Sequence, residues 1–411
     1  MTAISSFDTR LVRVPLTRPW GADVTSVGVI ATHVVRTDGV EGWGFSWTPQ
    51  IGAEAVQALL DHDIAAFAVG RPADPSALWL DAWQHLHEAG GGGVTTIALA
   101  GLDLALWDAA ARAHDMSVST LLGRRRERVR VYGSGVNLHY SLEDLVGQVR
   151  RWVDAGLDAV KIKVGKPDLQ EDLDRVAAVR EVLGDHRALM IDANQRWDLE
   201  RATRSVEALA EFAPAWIEEP LRADDLAGHV ALSHRLAGSS GIPIAVGENL
   251  HTTYRFAEFL RAGAAQIVQP NVVRVGGITP FRRIADIAVE HGATLHPHLL
   301  PELSGQLALC LPVAEGAAEP MAEDVEDAGF GALGALADPS PVAIADGVLT
   351  ETPHVGLGIR FSSSRSRAAG DPAAAAAAVE DAAGDRDRSP VATRRADPQS
   401  ATGEPNGTQP T

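Results

Sequence analysis

A chain of 411 residues that is 45% hydrophobic and 22% charged can bury a sizeable core, as two domains or as one large α/β barrel with additions. Its 36 Lys and Arg against 54 Asp and Glu leave a formal charge of −18, so no basic face is offered to phosphates and no nucleic-acid partner is expected. The acidity does not exclude an anionic substrate, because a bound cation can reverse the local field.

In chain order, residues 7–16 and 27–36 alternate apolar and polar side chains as strands do. The turn Asp38-Gly39 and the run VEGWGFSW extend them into a meander. Residues 53–69 and 76–88 have helical spacing. In the stretch that follows GGGGV, Ile97, Leu99, Leu102, Leu106 and Trp107 predict a well-packed helix. From about Val129 short apolar runs end near Gly133, Val164, Asp192, Glu218, Glu248, Asn271, His298 and Glu323, each interval long enough for one strand and one helix. Within these intervals Ser141 with Asp144 forms a capping-box pattern, and Leu142, Val146, Val149 and Val153 share a helical face, as do Leu169, Leu173, Val176 and Val179. Eight such units predict a (β/α)8-type barrel over 126–340, behind an N-terminal α+β capping domain over 1–125 completed by about 341–361. An open doubly wound sheet is the alternative, but no Gly-rich dinucleotide fingerprint follows an early strand. Residues 362–411 lack aromatics and are rich in Ala, Asp, Arg, Pro and Ser, so a disordered tail is expected there.

The single cysteine, Cys310, lies in the apolar run LALCLP and forms no internal disulfide; a buried thiol in a reducing compartment is expected. No apolar run approaches the ~20 residues that span a bilayer. The N-terminal MTAISSFDTRLVRVPL lacks the apolar core of a signal peptide, so no membrane partner and a cytoplasmic location are expected.

Strands of a parallel barrel are buried on both faces and read as apolar, yet several here finish on a charge. AVKIKVG carries Lys161 and Lys163, LMIDANQ carries Asp192 and Asn194, WIEEPL carries Glu218 and Glu219, IAVGEN carries Glu248, and TLHPHLL carries His296 and His298. Strand C-termini open on one rim of a barrel, where active sites lie. Three carboxylates on neighbouring strands repel one another unless a cation joins them. An all-oxygen set suits Mg²⁺, and the absence of Cys and His at zinc spacing disfavours Zn²⁺. Each carboxylate alone reads equally well as a salt-bridged rim residue; strand placement of all three favours the metal. Lys161 and Lys163, two residues apart, point to the same side of their strand, where mutual repulsion and a cation lower a lysine pKa toward that of a usable base. His296 is read as a satisfied core or rim histidine, and Glu219 as a supporting residue.

Together these residues resemble the mandelate racemase-like subgroup of the enolase superfamily over roughly residues 1–361, including the LDLALWD helix that leads to the LLG at 121–123. The resemblance implies Mg²⁺ held by Asp192, Glu218 and Glu248, and Lys163 as the base on one face of the substrate. It further implies Lys161 as the neighbour that tunes Lys163 and touches the substrate carboxylate, His298 as acid/base on the opposite face, and an acidic residue at Glu323, with Glu319 and Glu326 as alternatives. The chain departs from the family at Asn271, where racemases and many dehydratases have Asp and the muconate lactonizing and dipeptide epimerase branches have Lys. An amide can orient the His298 imidazole but cannot stabilise its positive charge as a carboxylate does.

The expected activity is therefore an Mg²⁺-dependent acid-sugar (aldonate or aldarate) dehydratase, a lyase that works through a metal-stabilised enediolate. A racemase, epimerase or cycloisomerase is the alternative, and an inactive metal-binding barrel ranks below both. Substrate contacts are expected from Asn194, Asn271, Glu323 and the capping segment 17–26 with Trp20, and specificity also around Trp47. Both tryptophans read equally well as domain packing. The resemblance also implies a homo-oligomer.

Overall fold

The computed structural model describes residues 2–21 and 23–362. The expected tail lies outside the described residues except for Ser362, whose N–H donates to the Ala335 carbonyl.

The N-terminal strands β1 (Ile4–Trp20), β2 (Val24–Arg36) and β3 (Glu41–Thr48) form an antiparallel meander in that order, with Gly39 at φ 83° in the turn between β2 and β3. After it come α1 (Ala53–Leu59), which continues through a π-turn to Ala68, then α2 (Pro75–His85) and α3 (Val94–Arg112). Helix α3 lies directly on β3. A Cβ added at Gly44 would stand 2.4 Å from both the Ala105 nitrogen and the Gly101 carbonyl, so only glycine allows this approach. By length and composition α3 is apolar enough to cross a bilayer, contrary to the expectation that no apolar run approaches that length. It is a core helix instead, with 78% of its most apolar window buried inside the protein.

Eight parallel strands follow: β4 (Arg128–Ser134), β5 (Ala159–Lys163), β6 (Ala188–Asp192), β7 (Ile217–Glu218), β8 (Ile244–Val246), β9 (Ile267–Val268), β10 (Thr294–Leu295) and β11 (Met321–Val325). Helices α4 (Leu142–Asp154), α5 (Leu169–Leu183), α6 (Leu199–Leu209), α7 (Leu226–Ala237), α8 (Thr253–Arg261) and α9 (Ile278–Glu290) alternate with them. Pairing runs from β10 down to β4 and on to β11. Among the described residues no ladder joins β10 to β11. Side chains bridge that seam: the Met321 N–H donates to His296 Nδ1 (2.9 Å), and the Leu299 N–H donates to Glu323 Oε2 (2.9 Å). Among the described residues only short helical turns at 301–308 stand where a seventh barrel helix would follow β10. The hairpin β12 (Val342–Ala345) and β13 (Val348–Glu351) adds to β4. The chain then returns to α3, where the Leu357 N–H donates to Asp108 Oδ1 (2.6 Å).

The barrel interior shows why charges end the strands. Tyr132, Ala159, Met190, Trp216 and Ile267 build one buried apolar cluster, against which Met321 packs. Strand side chains repeat every two residues, so the next inward positions are Lys161, Asp192, Glu218, Gln269 and Glu323. An apolar floor thus carries a polar layer at the C-terminal rim.

Two helix faces differ from expectation. In α4 the buried residues are Leu145, Gln148, Val149 and Trp152, while Leu142 is 45% exposed. In α5 Asp172 and Arg175 are buried beside Val176 and Val179. In both helices polar side chains face inward because they hold rim loops. Gln148 bonds Asn137, Asp172 accepts the Gly165 and Lys166 N–H groups, and Arg175 donates to the Asn137 and Tyr140 carbonyls.

Candidate active site

Strand β5 ends on Lys161 and Lys163, both buried and both directed into the polar layer. Lys161 Nζ bonds both oxygens of Glu218 (2.9 and 2.7 Å) and pairs with Glu323 Oε1 (2.8 Å). Lys163 Nζ bonds Asp192 Oδ2 (2.5 Å), across the β5–β6 pair in which the two residues are in register. Across the mouth, His298 Nε2 lies 2.8 Å from Glu248 Oε2 and 3.8 Å from Glu323 Oε2. Asp192, Glu218, Glu248, Glu323, Lys161, Lys163 and His298 therefore form one buried cluster of opposite charges.

Ligand atoms of Glu218, Glu248 and His298 lie within 4.8 Å of one another. The Asp192 carboxylate borders this group but is turned to Lys163 and to the Asn194 N–H (2.8 Å). Burial, then the charge of Asp192, pushes Glu218 up to about 7 in spite of Lys161. This is the signature of acidic oxygens with too little positive charge among them. Burial opposes the charge on Glu248 too, but His298 and Lys163 hold it well below the ordinary carboxylate range. Burial likewise opposes the charge on Glu323, yet Lys161 and His298 hold it at about 2.

The lysines depart from expectation. Burial pulls Lys163 down and Lys161 pulls the same way, but Asp192, Glu248 and Glu218 outweigh them, and Lys163 lies above its ordinary value. Burial also opposes the charge on Lys161, which Glu218 and Glu323 hold well above its ordinary value. The expected lowering supposed a cation among these acids; without one the carboxylates bind the lysine protons.

Asn271 meets His298: its Nδ2 lies 3.1 Å from the ring Nδ1. Asn271 Oδ1 accepts the Val273 and Arg274 N–H groups, each at 3.1 Å, and these donors fix which end of the amide faces the ring. The amide N–H therefore donates to Nδ1, and the neutral imidazole carries its hydrogen on Nε2, facing the acids. Burial lowers the pKa of His298, but Glu248 and Glu323 outweigh it and raise it overall.

Of the three acidic alternatives, Glu323 is the one in the cluster. Glu326 pairs with Arg151 (3.0 Å) and Gln148 (2.6 Å) away from the lysines, and Glu319 is exposed on a loop. Asn194 is exposed at the rim with φ 42°. Trp20 closes β1, half-buried against the main core, and Trp47 is buried within that core. His296 is buried, stacks on Trp216 at 5.2 Å, and is pushed down to about 3 by burial and then by Lys161. It is a neutral structural residue.

Four residues that sequence reasoning did not single out support the cluster. Gln269 Nε2 donates to Glu218 Oε2 (2.9 Å). Asn249 Nδ2 donates to Glu248 Oε1 (2.9 Å) and to both oxygens of Glu219 (3.0 and 2.8 Å). Arg274 Nη1 donates to the Glu248 carbonyl (3.1 Å) and to Asn249 Oδ1. Asn137 Oδ1 accepts the Lys163 N–H (2.9 Å). Gln269 was within reach of inference, lying two residues past Ile267 on an inward-facing strand; Asn137, Asn249 and Arg274 are loop residues with no periodic signal.

Residues 6–123 match the family described as "Mandelate racemase / muconate lactonizing enzyme, N-terminal domain", and residues 144–365 match "Enolase C-terminal domain-like". The chain is 36% identical over 356 residues to the 3,6-anhydro-alpha-L-galactonate cycloisomerase of Streptomyces coelicolor, covering 85% of this chain and 95% of that protein. It is 36% identical over 292 residues to the L-talarate/galactarate dehydratase of Salmonella typhimurium, covering 71% and 72%. Among solved structures, L-talarate dehydratase from Polaromonas sp. JS666, complexed with Mg and L-glucarate, superposes with TM-score 0.80 at 33% identity, covering 88% of this chain and 96% of that one. The polar layer of lysines, carboxylates and histidine at the C-terminal rim of an eight-stranded barrel, behind an α+β capping region, thus lies in a chain that belongs to the mandelate racemase/muconate lactonizing enzyme family of the enolase superfamily.

Proposed function

We propose that this protein is an acid-sugar dehydratase that removes the proton next to a substrate carboxylate and then loses the neighbouring hydroxyl as water. The observation that carries the reading is the placement of Lys163 and His298 on opposite sides of one acidic cluster, each hydrogen-bonded to a different carboxylate of it, Asp192 and Glu248. Dehydratases of talarate/galactarate, arabinonate and galactonate among the relatives support the same chemistry.

The donor set fits magnesium. Asp192, Glu218 and Glu248 are hard oxygen donors, buried or nearly so, and Glu218 lacks neutralising charge. We assign these three as the residues that would hold the ion. When bound, it would supply positive charge beside the substrate carboxylate and relieve the hold of the acids on the lysine protons.

The chain's own groups then divide the work. Lys163, freed of its proton, accepts the α-proton at Nζ, and the C–H electron pair moves into an enediolate. Lys161, already a donor to carboxylates on two sides, holds the substrate carboxylate. His298 presents Nε2–H to the departing hydroxyl. Once the ring has taken a second proton at Nδ1, which Glu248 and Glu323 favour and which displaces the Asn271 amide bond, the Nε2 proton leaves with the oxygen as water. The electron pair closes a C2–C3 double bond, and the enol takes a proton at C3 to give a 2-keto-3-deoxy acid. Asn194 and Trp20 are assigned to the substrate-facing rim, and Glu323 and Asn271 to orienting Lys161 and His298.

The single cysteine and the metabolic character of the relatives support a cytoplasmic location, and the family resemblance supports a homo-oligomer. The domain reading is a capping domain over 1–125, completed by about 341–361, around a barrel over 126–340.

A second reading, ring opening or closure as in the cycloisomerase relative, is favoured by the 36% identity to that protein across 95% of its length. Incubation of the full chain with Mg²⁺ and a panel of aldonates, aldarates and anhydro-aldonates decides. Keto-acid formation with release of water from an open-chain acid is expected. Turnover of anhydro-aldonates alone, or racemisation alone, overturns the first reading.

A further inference from the structure

The loop from Asn271 to Thr279 serves the site twice. Asn271 fixes the His298 ring, and Arg274 holds the Glu248 carbonyl and Asn249. The loop is wound on itself: the Val275 N–H donates to the Asn271 carbonyl (3.0 Å), Gly276 to Val273 (3.2 Å) and Gly277 to Val272 (2.8 Å). A displacement at one end therefore carries to the other.

Among the described residues, no side chain of the barrel caps its far end. Helix α9 begins there with Gly277 at its N-cap, φ 109°, and no side-chain cap from its own segment. The acceptor comes from α3 in the N-terminal region. Asp103, a carboxylate with no exposed surface, accepts the Thr279 N–H at Oδ2 (3.0 Å) and the Thr279 hydroxyl at Oδ1 (2.5 Å). The glycine makes room for it, since a Cβ at Gly277 would stand 2.3 Å from Asp103 Oδ2. Two tryptophans of the same region add to the grip: Trp107 Nε1 donates to the Thr279 hydroxyl (3.0 Å), and Trp79 Nε1 donates to the Gly276 carbonyl (2.8 Å).

We propose that Asp103 is a positioning residue for the reaction: it caps α9 from the neighbouring region and thereby seats the loop that sets Glu248 and His298. The proposal rests on the roles given to those two residues above. A buried carboxylate at a helix N-terminus satisfies otherwise orphaned N–H groups and suits the helix dipole, so the seat is stiff. Asp103 touches neither substrate nor metal ligand; its effect passes through Thr279 and the wound loop.

The test is Mg²⁺ binding by calorimetry, together with kcat and KM, on the full chain and on Asp103→Ala, Thr279→Val, the double variant and Gly28→Ala. Gly28→Ala crowds Ala53 of α1, 2.9 Å from the added methyl, and touches neither α3 nor the loop. Supporting-residue losses at metal sites weaken affinity about 10- to 100-fold, so about fivefold or more is expected for these more distant single variants. The double variant should weaken binding no further, kcat should fall more than KM rises, and Gly28→Ala should bind Mg²⁺ as the wild type does. Where Asp103→Ala fails to fold, Thr279→Val alone carries the comparison. Mg²⁺ affinity unchanged in Thr279→Val, or weakened equally in Gly28→Ala, overturns the proposal. A wild-type chain that binds no Mg²⁺ overturns instead the assignment of Asp192, Glu218 and Glu248.

Discussion

Asn271 donates its amide N–H to His298 Nδ1 at 3.1 Å while its own oxygen is spent on two backbone N–H groups. A family-typical aspartate at that position would keep those two bonds and present an acceptor to the ring, moving the imidazole hydrogen to Nδ1 and freeing Nε2 as a base. Asn271→Asp is therefore expected to raise deuterium incorporation at the substrate α-carbon in D₂O, read by proton NMR. Exchange no faster than in the wild type would show that the amide does not set the tautomer.

Lys163→Ala removes the group assigned to take the α-proton. General bases contribute about 10²- to 10⁴-fold, and a loss in that range is expected in keto-acid formation. Mg²⁺ affinity should remain, because Lys163 neutralises Asp192 and is not assigned as a ligand. A variant retaining a tenth of wild-type turnover would remove Lys163 from that role.

Chelation of divalent ions should abolish turnover, and added Mg²⁺ should restore it. A ligand that binds only the folded state stabilises by about 2.7 kcal/mol at 100 times its Kd, so the melting temperature should rise with Mg²⁺ concentration. Glu248→Gln removes one anionic donor and should shift that dependence to higher concentration. A melting curve indifferent to Mg²⁺ counts against the assigned ligands.

His296 is buried neutral, with its pKa held down at about 3 by burial and then by Lys161. In the unfolded chain an ordinary histidine takes up a proton near 6.5. The folded value is the lower one, so the stability it contributes is full above about 6.5 and is lost as pH falls toward 3, by about 5 kcal/mol at most. His296→Asn is expected to be less stable at pH 7, through lost stacking on Trp216 and the lost bond from Met321, yet flatter across that window in denaturant titrations. An unchanged slope would place the acid sensitivity elsewhere.

Gly44→Ala places a methyl against the α3 backbone, where the nearest atoms are 2.4 Å away. Overpacking of this kind costs about 1–3 kcal/mol, and more where backbone must move. A lower melting temperature is expected. A melting temperature within a degree of wild type would mean that β3 and α3 separate easily.

The strand ends were legible in sequence because a charge that closes an apolar run in a parallel barrel has one rim to occupy. Lys161, Lys163, Asp192, Glu218, Glu248 and His298 could therefore be gathered before any coordinates. The inward faces of α4 and α5 were not legible: Gln148, Asp172 and Arg175 are buried to satisfy loop carbonyls and amides, and apolar periodicity does not register such bonds. The choice among Glu319, Glu323 and Glu326 was equally hidden, because it depends on which one register position of β11 faces Lys161.

By itself the sequence determined the alternation of elements, the polar layer above an apolar floor, and the substitution of an amide where a carboxylate is usual. These follow from periodicity and residue chemistry, which are local. Only the tertiary structure decided that the Asn271 oxygen is engaged elsewhere, that side chains bridge the seam between β10 and β11, and that a carboxylate of α3 caps α9. Each of those depends on atoms from distant segments meeting within hydrogen-bonding distance, which no pattern along the chain encodes.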